Sequence, residues 1–248
     1  MATNYSYFEQ SASGSTFRVI KTHVSNLKNE IIKKPVCNTT FYGINGGVFN
    51  SPNGYSSAPT EGLAIGWNKG DTTFNDANAY GNKSRGTLFT YFDAAANTTK
   101  AGITRCTNIA NLKSQMGQNL DYRLMIGGGD FALGITSDSD WKTQVFDPEQ
   151  WSTVPDVGGG LIQDPRRSGI GLAVENGKWV AYLAISTANA TLYDLRKLFK
   201  DLGCFNAIHL DGSGSAQMQV YANNTTIKDR GSDPDRYVWN MVRLIATT

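Results

Sequence analysis

Hydrophobic and polar residues alternate in a short segment near the C-terminal end of the chain, from Ala207 to Ser215. Because successive side chains of a strand point to opposite faces, Ile208 and Leu210 are predicted to enter the core. His209 and Asp211 then share the other face, and the glycines that follow allow a sharp turn and the close approach of a ligand. The pattern predicts a strand that ends at a candidate active site. The alternative is that Asp211 only caps a turn, as Asp-Gly often does.

Two main helices are predicted from the spacing of apolar residues. Leucine and phenylalanine recur at helical spacing between residues 192 and 202, and Gly203 follows where a glycine commonly ends a helix. A shorter helix is predicted from Thr107 to Met116, with Leu112 and Met116 on one face. The longer helix leads directly into the strand that carries Asp211.

Most of the remaining chain has the pattern of short strands joined by glycine-rich turns. Partial alternation predicts a strand over Thr16–Val24, at a sheet edge or on a sheet face. The segment Phe41–Asn50 places three glycines among aromatic residues, and Arg123–Asp130 is apolar and ends in glycines. Glycine is unfavourable within a strand unless a turn, a bulge or a close neighbour requires it. These strand ends are therefore predicted to line a cleft, and a bulged core strand is the alternative.

Two longer segments are rich in turn-forming or aromatic residues. Residues 52–86 are rich in Gly, Asn, Ser, Thr and Asp, which favours strands, loops and hairpins on the surface. Residues 136–155 contain Trp141, Phe146 and Trp151 and are interpreted as an inserted loop, either one that covers a site or one held on the surface by its aromatic side chains. The predicted fold class is α+β, with mixed or antiparallel sheets, two main helices and a cleft lined by glycine-rich strand ends.

Composition and charge limit the domain organisation and the partners. The chain has 248 residues, 40% of them hydrophobic, and a formal net charge of +2. This length suffices for one core, so a single domain over residues 1–248 is predicted, with an N-terminal strand region at 1–40. Charges of both signs are dispersed, which gives no support to binding of a nucleic acid polymer. No apolar run approaches membrane-spanning length, so no membrane partner is expected.

Cysteine and histidine usage argues against disulfide and metal chemistry. Cys37, Cys106 and Cys204 are odd in number and widely spaced, which favours a reducing compartment; one disulfide with a spare thiol is the alternative. Only His23 and His209 are present, so no zinc site and no cofactor are expected, although calcium or magnesium sites built from carboxylates stay open. The N-terminal segment lacks a signal-peptide pattern. The expected location is the cytoplasm, with a phage-encoded or virion-associated protein as the alternative.

Glycine loops beside arginine are suited to binding a phosphate group. Backbone N–H groups can point at an anion, and the planar guanidinium matches its oxygens. Three consecutive glycines at 158–160 precede Arg166 and Arg167, but neither the Walker lysine pattern nor a dinucleotide-binding fingerprint is present. The commoner interpretation of two such arginines, taken alone, is a pair of solvated surface charges.

Five segments of the chain, taken in order, carry a resemblance to a known family. They are Gly43-Ile44-Asn45-Gly46-Gly47-Val48-Phe49, Ile126-Gly127-Gly128-Gly129, Arg167-Ser168-Gly169-Ile170-Gly171, the strand and turn from Leu202 to Ser215, and Arg236-Tyr237-Val238-Trp239-Asn240. Together they resemble the phosphodiester glycosidase family, that of the catalytic domain of N-acetylglucosamine-1-phosphodiester alpha-N-acetylglucosaminidase and its bacterial and phage relatives. The resemblance covers residues 41–248 as the catalytic region, with 136–155 as an insertion. It implies hydrolysis of the sugar C1–O bond of a glycosyl-1-phosphodiester, with release of the sugar and a phosphate monoester.

The resemblance also implies roles for individual residues. Asp211 is expected to stabilise or attack the anomeric carbon, and Asn45 to hold a sugar hydroxyl or orient the attacking water. His209 is expected either to relay a proton or to be a structural, hydrogen-bonded histidine. Arg167, supported by Arg236, is expected to bind phosphate oxygens. The other expected substrate-binding residues are Gly46, Gly47, Gly128, Gly129, Gly212, Ser213 and Ser215.

The chain departs from the family pattern at several positions. Ser213 stands where the family has glycine, Asp130 stands where it prefers proline, and residues 185–187 replace its Asp-Gly-Arg segment. Asp130 and Glu61 are candidates for a second carboxylate, and retention or inversion of configuration stays open. Two alternative functions also stay open: a non-catalytic glycan-binding protein of a phage or cell surface, and an intracellular hydrolase of nucleotide-like sugar phosphates.

Overall fold

The structure is a computed structural model, and it describes residues 4–78, 83–151 and 165–245. In chain order its strands are β1 (Tyr5–Ala12), β2 (Ser15–His23), β3 (Leu27–Lys34), β4 (Gly43–Asn45), β5 (Phe49–Asn50), β6 (Glu61–Gly62), β7 (Gly66–Asn68), β8 (Arg85–Asp93), β9 (Thr98–Cys106), β10 (Asp121–Gly127), β11 (Gly129–Asp130), β12 (Ser168–Glu175), β13 (Lys178–Ser186), β14 (Asn206–His209), β15 (Met218–Ala222), β16 (Thr225–Asp229) and β17 (Val238–Leu244). The helices are α1 (Ile109–Met116), α2 (Asp138–Trp141) and α3 (Leu192–Asp201).

The largest sheet has six strands in the order β1-β2-β13-β12-β14-β11. β2 pairs with both β1 and β13, so the strand predicted near residues 16–24 lies inside the sheet, not at its edge. These pairings also join the N-terminal region to the rest of the chain by main-chain hydrogen bonds. β14 lies between β12 and β11 and runs antiparallel to both, which places the end of β14 beside the start of β12.

Two further sheets and a short hairpin complete the described strands. The five-stranded sheet has the order β16-β15-β4-β17-β3, the four-stranded sheet has the order β7-β10-β8-β9, and β5 pairs with β6. Every strand pair in the described residues is antiparallel. The sequence predicts mixed or antiparallel sheets, and the described sheets are antiparallel.

The two predicted main helices are present, and α2 is an additional short one. α3 begins at a capping box in which Thr191 and Asp194 satisfy each other's backbone N–H groups, and Gly203 follows its end with a φ of +71°. α1 begins after Asn108, whose side chain accepts a hydrogen bond from the N–H of Asn111. Within the described residues, no helix has the length and apolar sequence needed to cross a membrane.

Apolar side chains pack on both faces of the six-stranded sheet. On one face, Ile20, Leu183 and Ile208 pack with Ile44 and Val242 of the five-stranded sheet. The other face is covered by α3 and by the segment 136–151. The chain is therefore layered, with the six-stranded sheet in the middle, and the strand predicted to carry the site runs through this central layer.

The segment 136–151 is more ordered than a surface loop. It contains α2 and a turn of π-helix at Lys142–Phe146. Trp141, Phe146 and Trp151 are only 0%, 1% and 2% exposed, because they fill the core between α3 and the sheet. The interpretation as a loop held on the surface by these aromatic residues is therefore wrong for 136–151. Residues 152–155, and the three glycines at 158–160, lie outside the described residues.

Candidate active site

The site turn, defined here as Asp211–Ser215, follows directly on the end of β14. The N–H of Leu210 donates to the carbonyl of Ser168 at 2.9 Å, and the N–H of Asp211 donates to the carbonyl of Gly46 at 3.2 Å. The ends of β14 and β4 and the start of β12 meet at this point. As predicted, Leu210 enters the core while Asp211 is partly exposed.

Asn45, at the end of β4, holds the main chain of Asp211. Its Nδ2 donates to the carbonyl oxygen of Asp211 at 2.7 Å, and Oγ of Ser168 donates to the same oxygen at 2.6 Å. Its Oδ1 accepts from the N–H of Gln217 at 3.3 Å. The side chain has 0% exposure, so in this structure it acts inside the protein. Its expected contact with a sugar hydroxyl or a water stays a prediction.

The predicted site glycines near β4 and β11 are closely packed by neighbouring segments. A Cβ atom added at Gly46, Gly47 or Gly128 would lie 2.2, 2.6 or 2.2 Å from an atom of another part of the chain. Real Cβ atoms do not approach so closely, so internal packing accounts for glycine at these positions. Their expected role in binding substrate stays a prediction.

His209 lies beneath the site turn in an aromatic environment. Its ring centroid is 4.7 Å from that of Trp151 and 5.6 Å from that of Phe131, and a Cβ atom at Gly129 would overlap its Nε2 at 1.9 Å. Burial, reinforced by the charge of Arg167, lowers the pKa of His209 to about 3. The imidazole is therefore neutral near pH 7. This geometry favours a structural histidine over a proton relay.

Arg167 lies beside the site turn and is only 3% exposed. Its Nε donates to the carbonyl of Ala190 at 3.1 Å, which fixes the direction of the side chain. A Cβ atom at Gly212 would lie 3.3 Å from Nη1 of Arg167, so the guanidinium is next to the residue that follows Asp211. The structure thus places Arg167, the residue predicted to bind phosphate, beside the turn that carries Asp211, the predicted catalytic acid.

Arg166 is also buried, at 7% exposure, but has a different environment. Its Nη1 and Nη2 donate to the two carboxylate oxygens of Asp229, each at 2.7 Å, and its Nε donates to the carbonyl of Ser186 at 2.8 Å. The interpretation of the two arginines as solvated surface charges is therefore wrong. Arg166 is neutralised inside the protein, whereas Arg167 is directed towards the site turn.

Arg236 reaches the other end of the site turn. Its Nε donates to Oγ of Ser215 at 2.7 Å, and its guanidinium stacks on the ring of Tyr55 at 3.4 Å from the centroid. It is 9% exposed and, within the described residues, has no ion pair. Arg243 also stacks on a ring, yet it is paired with Glu30. A mostly buried arginine without a carboxylate partner is a suitable anchor for an anion.

The most deeply buried carboxylate near the site is Glu149, which the sequence reasoning missed. It accepts hydrogen bonds from the N–H groups of Gly86 at 2.8 Å and Asp130 at 3.1 Å and from Nε1 of Trp151 at 2.6 Å. Burial, followed by the charge of Asp130, raises the pKa of Glu149 to about 8. Because Glu149 has 0% exposure, it is a buried group of the core and is not accessible to a substrate. A lone glutamate in a polar segment gives no sequence signal of burial.

The two carboxylates named as second catalytic candidates lie in contrasting environments. Asp130 is 8% exposed, and burial raises its pKa despite hydrogen bonds from Ala132 and Asn206. Glu61 is exposed on β6, where it accepts a hydrogen bond from Nδ2 of Asn50 at 3.0 Å. The structure does not bring either carboxylate into contact with Asp211 among the described hydrogen bonds, and the stereochemical outcome stays open.

The predicted cleft lined by glycine-rich strand ends is not confirmed by the described residues and stays a prediction. A groove of about 490 Å³ lies elsewhere, between the ends of β3, β7, β8 and β9. It is lined by Val24, Ser25, Leu27, Lys28, Asn68, Lys69, Thr90, Phe92, Thr99, Arg123 and Ile245. None of the predicted site residues is among them. The candidate site is therefore defined by the site turn and its two arginines.

Comparison with known proteins places this arrangement in a family. Residues 38–245 match the family of phosphodiester glycosidases. The chain belongs to this family. The matched range contains β4, the site turn, both arginines and Asp211, and leaves β1, β2 and β3 outside.

Two solved structures share the fold at low sequence identity. One is the zebrafish N-acetylglucosamine-1-phosphodiester alpha-N-acetylglucosaminidase catalytic domain, auto-inhibited by its pro-peptide: it has a TM-score of 0.61 and 14% identity, over 98% of this chain and 83% of that one. The other is a putative exported protein from Burkholderia pseudomallei K96243, with a TM-score of 0.65 and 12% identity, over 94% of this chain and 74% of that one. No curated protein is similar enough to count as a relative. These likenesses establish the fold.

Proposed function

We propose that the protein is a hydrolase that cleaves the sugar C1–O bond of a glycosyl-1-phosphodiester and releases the sugar and a phosphate monoester. The proposal is supported by the family match and, above all, by the position of the Arg167 guanidinium next to Gly212, directly after Asp211. Cleavage at C1 develops positive charge on the sugar and negative charge on the leaving phosphate. A carboxylate and a guanidinium at one turn suit both charges.

Asp211 is assigned to the sugar side of the reaction. Its carboxylate stabilises the positive charge that develops at C1, or attacks C1 to form a glycosyl-enzyme. In either route the C1–O bond breaks with its electron pair on the phosphate oxygen, and a water oxygen finally bonds to C1. In the covalent route this water displaces the Asp211 carboxylate, which takes back the electron pair of its bond to C1. One proton of that water leaves to the phosphate monoester or the solvent. The hydrogen bonds from the side chains of Asn45 and Ser168 to the carbonyl oxygen of Asp211 support this role because they fix the backbone of Asp211.

Arg167 and Arg236 are assigned to the phosphate. Both are almost buried and both border the site turn, Arg167 beside Gly212 and Arg236 at Ser215. A guanidinium offers two parallel N–H donors to two oxygens, and the low dielectric around a buried one strengthens the contact. A phosphate is already a good leaving group, so an acid with a raised pKa near C1 is not needed. The neutral His209 is consistent with this scheme.

The test is product identification on a panel of substrates. We expect free sugar and a phosphate monoester from a glycosyl-1-phosphodiester, with N-acetylglucosamine as the first sugar to try, and little reaction with an uncharged aryl glycoside of the same sugar. A nucleotide diphosphate sugar and a ribosyl or cyclic nucleotide complete the panel and separate the nucleotide-acting alternative. Mass spectrometry identifies the products.

Asp211→Asn provides the negative control in this panel, and Arg243→Gln the matched positive control. Arg243 stacks on a ring and pairs with Glu30, as a structural arginine does, so its loss is expected to leave turnover unchanged. Binding of the phosphodiester without turnover by the wild type would favour the glycan-binding alternative. Release of a sugar phosphate would contradict cleavage at C1.

A further inference from the structure

We propose that Arg18, Asp229 and Arg166 form a positioning unit that fixes the site turn and Arg167, and that the N-terminal hairpin supplies one member of it. The residues of this unit hold other protein groups and are not assigned to substrate. The inference rests on the proposed function for its kinetic consequence. Its structural consequence, the rigidity of the site turn, does not depend on any reaction.

Asp229 is the centre of the unit. Its two carboxylate oxygens accept the fork of Arg166 at 2.7 Å each, and Oδ1 also accepts the N–H of Gly231 at 3.1 Å. Arg18 also donates to Oδ2, from Nη1. The side chains of Asp229 and Arg166 are 6% and 8% exposed. A two-point arginine–carboxylate contact with so little solvent has one geometry, so it can set the position of the backbone on both sides.

The backbone of Arg166 transmits this position to the site turn. Its carbonyl accepts the N–H of Ser213 at 2.7 Å. Ser213 has a φ of +56°, a left-handed conformation that a residue other than glycine adopts at a cost and keeps only when its surroundings hold it. The next residue in the chain after Arg166 is Arg167. One anchored residue therefore controls both the turn that carries Asp211 and the neighbouring guanidinium.

The turn that follows Asp229 also packs closely against the site turn. Gly231 has a φ of +73°, and a Cβ atom there would lie 2.8 Å from the carbonyl oxygen of Gly214 and 3.0 Å from that of Ala216. The segment 229–231 is thus in close contact with the end of the site turn. Asp229 links this contact to Arg166, so that the two supports of the turn move together.

Arg18 connects the N-terminal hairpin to the unit. It lies on β2, in the part of the chain before residue 38, where the family match begins. β2 pairs with β13 through Arg18 and Ile185, next to Ser186, whose carbonyl accepts the Nε of Arg166. Glu9 on β1 binds Arg18 in turn at 3.3 Å. The hairpin is therefore an integral part of the site's support.

The experiment compares Arg166→Lys, Asp229→Asn and Arg18→Gln in the whole protein, with Arg243→Gln as the matched control of a lost arginine–carboxylate pair. Lysine keeps the charge of Arg166 but lacks the fork, and asparagine keeps the shape of Asp229. The first readout is amide hydrogen exchange at Ser213 and Ser215, measured beside thermal unfolding. The second is kcat and KM on the glycosyl-1-phosphodiester.

We expect Arg166→Lys and Asp229→Asn to speed exchange at Ser213 about tenfold while amides of α3 keep their protection, and to lower kcat about tenfold with little change in KM. Arg18→Gln should give a smaller effect in the same direction, and the control none. Unchanged exchange at Ser213 in the isosteric Asp229→Asn variant would overturn the proposal, as would exchange that rises equally throughout the chain. If no variant or wild type turns over the substrate, the proposed function fails, and the exchange data alone decide this inference.

Discussion

The side-chain nitrogen Nδ2 of Asn45 donates a hydrogen bond to the main-chain carbonyl of Asp211 at 2.7 Å, and this bond connects two sheets. Asn45 belongs to the five-stranded sheet, and Asp211 follows β14 of the six-stranded sheet. A buried polar side chain at such a junction determines how the two layers meet. The asparagine therefore links the packing of the sheets to the orientation of the candidate catalytic acid.

Replacing Asn45 by alanine should destabilise the protein and also lower activity. The carbonyl of Asp211 keeps Ser168 as a donor, but the N–H of Gln217 loses its acceptor, so we expect a loss of about 2–3 kcal/mol in the free energy of unfolding. Denaturant unfolding measures it. A variant with unchanged stability and no activity would contradict the positioning role and favour direct contact with the substrate.

Replacing Asp211 by asparagine should remove most turnover and leave the fold intact. The carboxylate lies in a partly exposed turn, and its backbone contacts survive the change. Loss of the charge that faces C1 should lower kcat on the order of 10³-fold, with the unfolding temperature nearly unchanged. Kinetics and thermal unfolding of the same preparation check both parts. Full activity, or inactivity that merely follows unfolding, would count against the assignment.

Replacing Arg167 by lysine should weaken binding of phosphate. Lysine keeps the charge but cannot offer two parallel donors, so kcat/KM should fall about 10- to 100-fold, and inorganic phosphate should become a weaker competitive inhibitor by a similar factor. Arg166→Lys removes the fork to Asp229 and acts on Arg167 only through the backbone, so it should weaken inhibition by phosphate much less than Arg167→Lys does. Equal weakening of phosphate inhibition in both variants would contradict the division of roles between the two arginines.

The buried His209 should make stability depend on pH in a defined direction. Its folded-state pKa of about 3 lies below the ordinary value of 6.5, so the unfolded chain binds a proton that the folded protein does not. Stability is therefore lost as the pH falls from about 6.5 towards 3, by about 1.4 kcal/mol per pH unit. Between pH 7 and pH 5 the wild type should lose about 2 kcal/mol more than His209→Leu.

Urea unfolding at the two pH values measures this difference. The raised pKa of Glu149 has the opposite effect: it makes the protein lose stability as the pH rises towards 8. Because Glu149 is present in both proteins, its contribution cancels in the comparison. Identical pH dependence of the wild type and His209→Leu would show that the imidazole has the same pKa in the folded protein as in the unfolded chain, and so can gain and lose a proton in the folded state. That result would reopen the proton-relay interpretation.

Local pattern was sufficient for the elements that build the site. The alternation at residues 207–211 correctly predicts that Ile208 and Leu210 enter the core, and helical spacing correctly predicts α3 and its terminal glycine. The order of the five segments identifies the family, which the match over residues 38–245 confirms. These features depend on neighbours in the chain, where periodicity and capping act.

Long-range partners were not accessible to the same reasoning. Asp229 lies 63 residues from Arg166, and Glu149 lies 63 residues from Gly86, and neither sequence neighbourhood suggests burial. The aromatic segment 136–151 has no regular period, so its packing against α3 could not be read from spacing. Packing between layers, not local propensity, determines these contacts.

The central claim, cleavage at C1, is tested most directly by hydrolysis in water enriched in oxygen-18. If water attacks C1, or releases a glycosyl-enzyme at C1, the label enters the free sugar and the phosphate monoester stays unlabelled. Mass spectrometry should therefore find the heavy oxygen in the sugar, in wild type and in Arg243→Gln, and almost no product in Asp211→Asn. Heavy oxygen in the phosphate would show cleavage of the P–O bond and would contradict the account.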